Sequence, residues 1–223
     1  SKFVSYGNGS DLNEIEFLKY LKDDPDTKVI AMYLENVNNG REFMQALEEV
    51  TREKPVVVIK SGRTSSGQRA ALSHTGSMAG SDAVYDAAFK ECGALRVETI
   101  EDMFDLCKGL SFLPPVRGRR LAIVTNSGGP GVMAADKAEE VGLEVNEPKP
   151  ELKTVLQELL PPHAGLKNPF DLTVEGTGEQ YQRVLAEALK QYDAALALYV
   201  GTPYLEAMPV ARAIKAAFQE TAK

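Results

Sequence analysis

One histidine, His74, stands in the segment Arg69-Ala70-Ala71-Leu72-Ser73-His74-Thr75-Gly76-Ser77-Met78-Ala79-Gly80. An imidazole in such surroundings has the chemistry of a nucleophile, since its neutral form keeps a lone pair on one ring nitrogen. Ser73 and Gly76 beside it let hydroxyl and amide donors approach an anion with little side-chain bulk in the way. Arg63 and Arg69 flank the segment and are candidates for charge-assisted contacts to a phosphate. An ordinary polar loop with a surface histidine fits the same residues, so spacing alone leaves both readings open.

A second candidate is Thr125-Asn126-Ser127-Gly128-Gly129-Pro130-Gly131. An apolar run ends, a glycine turn follows, and a helix is expected from about Pro130, a residue suited to a first helical turn. Unpaired amides of Ser127, Gly128, Gly129 and Gly131 would then converge with the helix dipole on one point, which suits phosphate. A glycine turn that merely joins strand to helix is the plainer alternative. The third candidate is Glu35, which closes the apolar run Val29–Leu34. A carboxylate that accepts from one imidazole nitrogen fixes the tautomer and leaves the other nitrogen free to attack. Asp171, in Asn168-Pro169-Phe170-Asp171-Leu172-Thr173, serves either a site wall or an Asx turn and is expected in a loop. His163, beside two prolines, is read as incidental.

The elements that must hold these residues alternate. Strands are expected near Phe3–Tyr6, Val29–Leu34, Val56–Ile59 and Leu95–Val97, with helices near Asp11–Lys22, Arg41–Glu53, Ser81–Cys92 and Thr99–Leu113. Pro114-Pro115-Val116-Arg117-Gly118-Arg119 breaks the pattern and reads as a linker at 114–119. Strands at Leu121–Thr125, Leu143–Val145 and Ala194–Val200 follow, with helices at Gly131–Val141, Glu151–Leu160, Glu179–Tyr192 and the carboxyl end. Such alternation predicts an α/β protein with parallel sheets, whose chemistry sits at the carboxyl ends of the strands. Thr27–Leu34 with its helix parallels Tyr192–Tyr199 with its helix, so residues 1–113 and 120–223 are expected to be two flavodoxin-like domains, each incomplete.

Lys60-Ser61-Gly62-Arg63 through Ser73-His74-Thr75-Gly76-Ser77-Met78-Ala79-Gly80-Ser81-Asp82 resembles the phosphohistidine loop of the NDP-forming acyl-CoA synthetases, a branch of the succinyl-CoA synthetase superfamily. The resemblance implies that His74 takes a phosphoryl group from an acyl phosphate and passes it to ADP. It implies that Glu35 matches the family's strand-end glutamate that contacts the histidine, and that the turn at Ser127–Gly131 is a helix end facing the phosphohistidine. Asn168–Thr173 resembles a further family segment, in which valine usually stands where this chain has Phe170. The family uses CoA, ATP or ADP and Mg²⁺, bound mainly by a CoA-binding domain and an ATP-grasp domain that cannot be placed in these residues. Those domains, a small carboxylic acid and an oligomeric assembly are the partners it implies.

Composition bounds the alternatives. The 223 residues are 43 % hydrophobic and 26 % charged, with 25 basic and 32 acidic residues and a formal net charge of −7. That balance, with no basic run, argues against nucleic acid as a partner. No apolar stretch reaches membrane-spanning length and no signal peptide is visible at Ser1, so a cytoplasmic protein is expected. Cys92 and Cys107 lack metal-ligand spacing and are expected to be reduced core thiols. No Gly-x-Gly-x-x-Gly turn follows a strand and no Walker-type lysine motif occurs. Two other functions stay open: a non-catalytic synthetase-like region of a protein acyltransferase, in which the loop histidine is typically lost, and a simple anion- or nucleotide-binding flavodoxin-like module.

Overall fold

The computed structural model describes residues 2–7, 11–69, 81–203 and 205–221. They divide into two compact units, Ser1–Leu113 and Pro114–Lys223. His74, Ser73 and Gly76 lie outside the described residues.

In the first unit the order is α1 (Glu14–Asp23), β1 (Ile30–Leu34), α2 (Gly40–Thr51), β2 (Val56–Lys60), α3 (Asp82–Glu91), β3 (Leu95–Val97) and α4 (Ile100–Phe112). The three strands form a parallel sheet in the order β1-β2-β3, with Leu34 level with Lys60. All five residues of β2 are buried, as expected of a central parallel strand that is apolar on both faces. Ile15 and Leu18 of α1 and Phe43, Leu47 and Val50 of α2 close one face over Val56 and Val58. Burying a side chain such as Leu47 contributes about 2–3 kcal/mol. The α1 entry is fixed by a capping box between Asn13 and Glu16. No residue of α4 is buried, and Phe104 and Phe112 stand 65 % and 79 % exposed.

Phe3–Tyr6 departs from expectation, for these residues are irregular and form no strand. No strand among the described residues pairs with them, and Phe3 is 93 % exposed. Tyr6 instead packs its ring 5.6 Å from Phe17, and burial pushes its hydroxyl up to about 12, with Glu14 adding to the shift.

In the second unit the order is β4 (Leu121–Thr125), α5 (Gly128–Glu140), α6 (Pro150–Leu159), β5 (Phe170–Asp171), α7 (Gly178–Gln191), β6 (Ala194–Leu198) and α8 (Ala207–Thr221). Its parallel sheet runs β5-β4-β6, and β4, in the centre, is again wholly buried. Ala122 and Val124 face a core with Leu156, Phe170, Tyr181 and Leu185, while Leu121 and Ile123 face Ala138 of α5. Residues 114–119 carry neither helix nor strand.

Three expectations are corrected in this unit. Leu143–Val145 is not a strand; only Glu144 bridges to Arg120. The helix of the glycine turn begins at Gly128 rather than near Pro130, so Pro130 sits inside the first turn, where its missing N–H costs nothing. Phe170–Asp171 is a short strand rather than loop. Its register is set by Asn168, whose Oδ1 accepts from Ile123 N at 2.9 Å and whose Nδ2 donates to Leu121 O at 2.7 Å. This carboxamide does for the β4 edge what a strand backbone would.

Candidate functional site

The carboxyl edge of the first sheet gathers Glu35, Asn36, Lys60, Ser61 and Arg63. Glu35 follows β1 directly and is partly buried. Lys60 closes β2 and is 2 % exposed. Its Nζ donates to Ser61 O at 2.5 Å and lies 4.5 Å from the centre of the Tyr85 ring. Burial lowers its pKa; Asp82 and Glu35 pull the other way, and Arg96 adds to the lowering. The Tyr85 hydroxyl donates to Asn36 Oδ1 at 3.1 Å and accepts from Val37 N at 3.2 Å. Ser61 returns both its N–H and its hydroxyl to Leu34 O. The start of the connection toward residue 74 is thus stitched to the end of β1.

Arg63 pairs with Glu98 at 3.1 Å, and the Arg69 guanidinium donates to Ser66 Oγ at 3.1 Å. An open groove of about 580 Å³ lies alongside, with Arg63, Asp82, Asp86, Arg96 and Glu98 in its wall. Its charges are paired with one another, Arg96 reaching Asp82 at 2.5 Å and Asp86 at 3.4 Å.

The carboxyl edge of the second sheet is built round β4. Thr125 Oγ1 donates to Ser127 O at 2.9 Å and accepts from Ser127 N at 3.0 Å, which folds the chain sharply into α5. The amides of Gly128 and Gly129, in the first turn, have no intrahelical acceptor. A Cβ on Gly131 would stand 3.1 Å from Thr125 Cγ2 and 3.3 Å from Pro169 Cβ, so this glycine lets the helix lie close against its strand. Gly129 is different: a Cβ there meets nothing within 4 Å and its φ lies outside the left-handed region, so crowding of an incoming ligand is all a side chain would add. Asp171 Oδ1 accepts from Thr173 N at 2.9 Å, and its Oδ2 stands 3.2 Å from where a Gly128 Cβ would be. A carboxylate therefore occupies the positive end of α5, a favourable place for an acid. Thr173 itself adopts φ of 62°, a strained conformation for a β-branched residue.

Sequence reasoning had singled out Glu35, Arg63, Asp171 and the glycine turn, but not Lys60, Tyr85 or Asn126. A lysine that ends a run of four apolar strand residues was the available signal for Lys60. His163 meets Glu175 at 3.8 Å on the exposed surface. Cys92 and Cys107 are free thiols, the first buried and the second half-buried. Among the described residues no group of three or more His, Cys, Asp or Glu side chains is gathered to hold a metal, and no helix is long and apolar enough to cross a membrane.

Two flavodoxin-like parallel sheets with their polar residues at the strand carboxyl ends define the class, and comparison with known proteins gives its relatives. Residues 1–110 match the succinyl-CoA ligase like flavodoxin domain. The α subunit of acetate–CoA ligase [ADP-forming] I from Pyrococcus furiosus is 42 % identical over 100 % of this chain, which spans 48 % of that subunit. The 4-hydroxybutyrate–CoA ligase [ADP-forming] of Nitrosopumilus maritimus is 35 % identical over 91 % of this chain and 29 % of its own length. The solved structure of Ca. Korarchaeum cryptofilum dinucleotide forming acetyl-coenzyme A synthetase 1, in complex with phosphate and ADP, superposes with a TM-score of 0.91 at 39 % identity, covering 99 % of this chain and 48 % of that one. The chain carries a succinyl-CoA ligase-like flavodoxin domain and is similar over its whole length to the ADP-forming acetyl-CoA synthetases. It spans about half the length, or less, of the relatives it matches.

Proposed function

We propose that this chain is the phosphoryl-carrying part of an acid–CoA ligase (NDP-forming). The observation that carries the reading is the similarity, along the whole of this chain, to about half of an ADP-forming acetate–CoA ligase α subunit, in a chain that contains Ser73-His74-Thr75-Gly76. His74 attacks the phosphorus of an acyl phosphate, the P–O bond to the acyl group breaks, and the carboxylate leaves. The P–N bond of phospho-His74 then breaks as a terminal oxygen of ADP attacks, giving ATP and restoring the imidazole. The sum interconverts acyl-CoA, ADP and phosphate with acid, CoA and ATP. Glu35 orients the imidazole from the end of β1. In the first unit Ser73 and Gly76 offer donors to the phosphoryl oxygens, with Arg63 adding positive charge. In the second unit the α5 end is a phosphate-binding end of its own, with the free amides of Gly128 and Gly129 as donors, Ser127 and Gly131 shaping the turn and Asp171 tuning its charge.

The CoA-binding and ATP-grasp portions of the assembled enzyme supply the CoA and nucleotide sites. Any requirement for Mg²⁺ is assigned to those portions. The assembly is oligomeric and cytoplasmic in this reading, and its acid is a small carboxylic acid. Retention of His74 weighs against a non-catalytic regulatory relative, and the similarity to ligases weighs against a simple anion-binding module.

The test uses the assembled enzyme with acyl-CoA, ADP and labelled phosphate. ATP forms, the chain becomes labelled, and the label is lost in acid but survives base, as a phosphoramidate does. His74→Ala abolishes both. A His74→Ala enzyme with undiminished turnover overturns the reading.

A further inference from the structure

We propose that Tyr85 and Lys60 are a positioning pair that fixes the strand-end segment carrying Glu35; the inference rests on the orienting role given to Glu35 above. Three contacts carry it. Tyr85, on α3, reaches across to the β1–α2 connection and holds both residues that follow Glu35 and Asn36 in turn: its hydroxyl donates to the Asn36 side chain and accepts from the Val37 backbone N–H. Lys60, from the neighbouring strand, sets the ring that makes those bonds, with its Nζ 4.5 Å from the ring centre. The same Nζ donates to Ser61 O, and Ser61 in turn donates twice to Leu34 O, the carbonyl immediately before Glu35. Glu35 is thus clamped from the residue before it and from the two after it.

The chemistry of the pair is suited to this. A 2 % exposed ammonium is costly unless its donors and its field are used, and here they are spent on a carbonyl, an aromatic face and the nearby carboxylates of Glu35 and Asp82. Burial pushes the Tyr85 hydroxyl up, which keeps it protonated and able to donate to Asn36. A core that wanted only volume at these positions would be served by methionine and phenylalanine. The Tyr85 hydroxyl is spent on the β1–α2 connection, and the Lys60 ammonium on the Tyr85 ring and on Ser61, which bonds the residue before Glu35.

The experiment is a double-mutant cycle in the assembled enzyme, reading the rate of phosphohistidine formation from acyl phosphate. Tyr85→Phe, which keeps the ring, and Asn36→Ala, which removes its acceptor, each slow that rate by about ten- to a hundredfold while KM for the acyl donor stays unchanged. Lys60→Met, of similar length, does the same. None adds to Glu35→Gln: each double variant is as slow as Glu35→Gln alone, because the pair acts through that carboxylate. Rate losses that multiply in the doubles, or a Tyr85→Phe enzyme at wild-type rate beside a slow Glu35→Gln, overturn the inference and leave the Glu35 reading intact. A Glu35→Gln enzyme at wild-type rate overturns the Glu35 reading itself. Should Lys60→Met fail to fold, the Tyr85→Phe cycle decides.

Discussion

The carboxamide of Asn126 faces the backbone of Val200 with both of its groups, Oδ1 accepting from Val200 N at 2.8 Å and Nδ2 donating to Val200 O at 2.8 Å. Asn126 is fully buried, and it ties the end of β4 to the chain leaving β6. Two backbone groups of Val200, itself 38 % exposed, would lose their partners in Asn126→Ala, at about 1–2 kcal/mol each. Urea unfolding of the chain is expected to show a loss of about 2–4 kcal/mol, with fluorescence and circular dichroism transitions that still coincide.

Glu35→Gln separates chemistry from stability. A neutral amide no longer supports the charge that develops on an imidazole ring, so phosphorylation of His74 is expected to slow roughly a hundredfold or more. Folding is expected to change by under about 0.5 kcal/mol, as for most changes at a partly exposed strand end. Rapid-quench kinetics and thermal melts on the same preparation check both halves.

How much of this was legible in the residues depends on whether the signal was local. Val56–Ile59 announces a buried strand by itself, and β2 is one. The helix expected at Glu179–Tyr192 is α7, and a capping box between Thr177 and Gln180 fixes its start. Phe170–Asp171 gives no such signal, since two residues pair with β4 only because Asn168 has already anchored the approach from 45 positions away in sequence. Phe3–Tyr6 shows the reverse failure: apolar residues at strand spacing are irregular, and no strand among the described residues pairs with them. Glu35, Asp171 and the glycine turn were nameable because each ends or follows an apolar run. Tyr85 was not, because its partners Asn36 and Val37 lie 49 and 48 residues away.

Phosphate alone is expected to bind the chain weakly, with Kd on the order of millimolar, since a single helix end contributes little. Asp171 shares that end of α5, and removing its charge in Asp171→Asn is expected to tighten phosphate binding about two- to fivefold. Gly129→Val is expected to weaken it by crowding the approach, with no backbone strain contributing. Titration followed by phosphorus NMR line broadening measures all three proteins. Tighter binding in Gly129→Val would place the anion elsewhere.

Acid should loosen the second unit through one identifiable pair. Arg120 bonds Asp193 with Nε at 3.0 Å and Nη2 at 2.6 Å, and its backbone N–H donates to the same carboxylate at 3.0 Å. The guanidinium holds the Asp193 carboxyl down at about 2. A carboxyl depressed on folding binds fewer protons in the native state than in the unfolded one, so its stabilisation is complete above its ordinary value and is lost as pH falls toward about 2. Melting temperature in wild type is expected to fall more steeply across that window than in Asp193→Asn. Parallel slopes would show that the pair is too solvated to matter.

Both sheets place their most protected strand next to their most polar connection. β2 and β4 are buried along all five residues, while Ser61–Arg63 and Ser127–Gly129 follow them directly or after a single residue. Amide exchange in the cores of these strands therefore requires opening of the whole unit, whereas a few positions onward it requires only local motion. The boundary between slow and fast exchange is expected to fall within two or three residues of the chain, with no gradual transition. Such a boundary lets the connections adjust to a ligand by local motion while the strands that carry them keep a single arrangement.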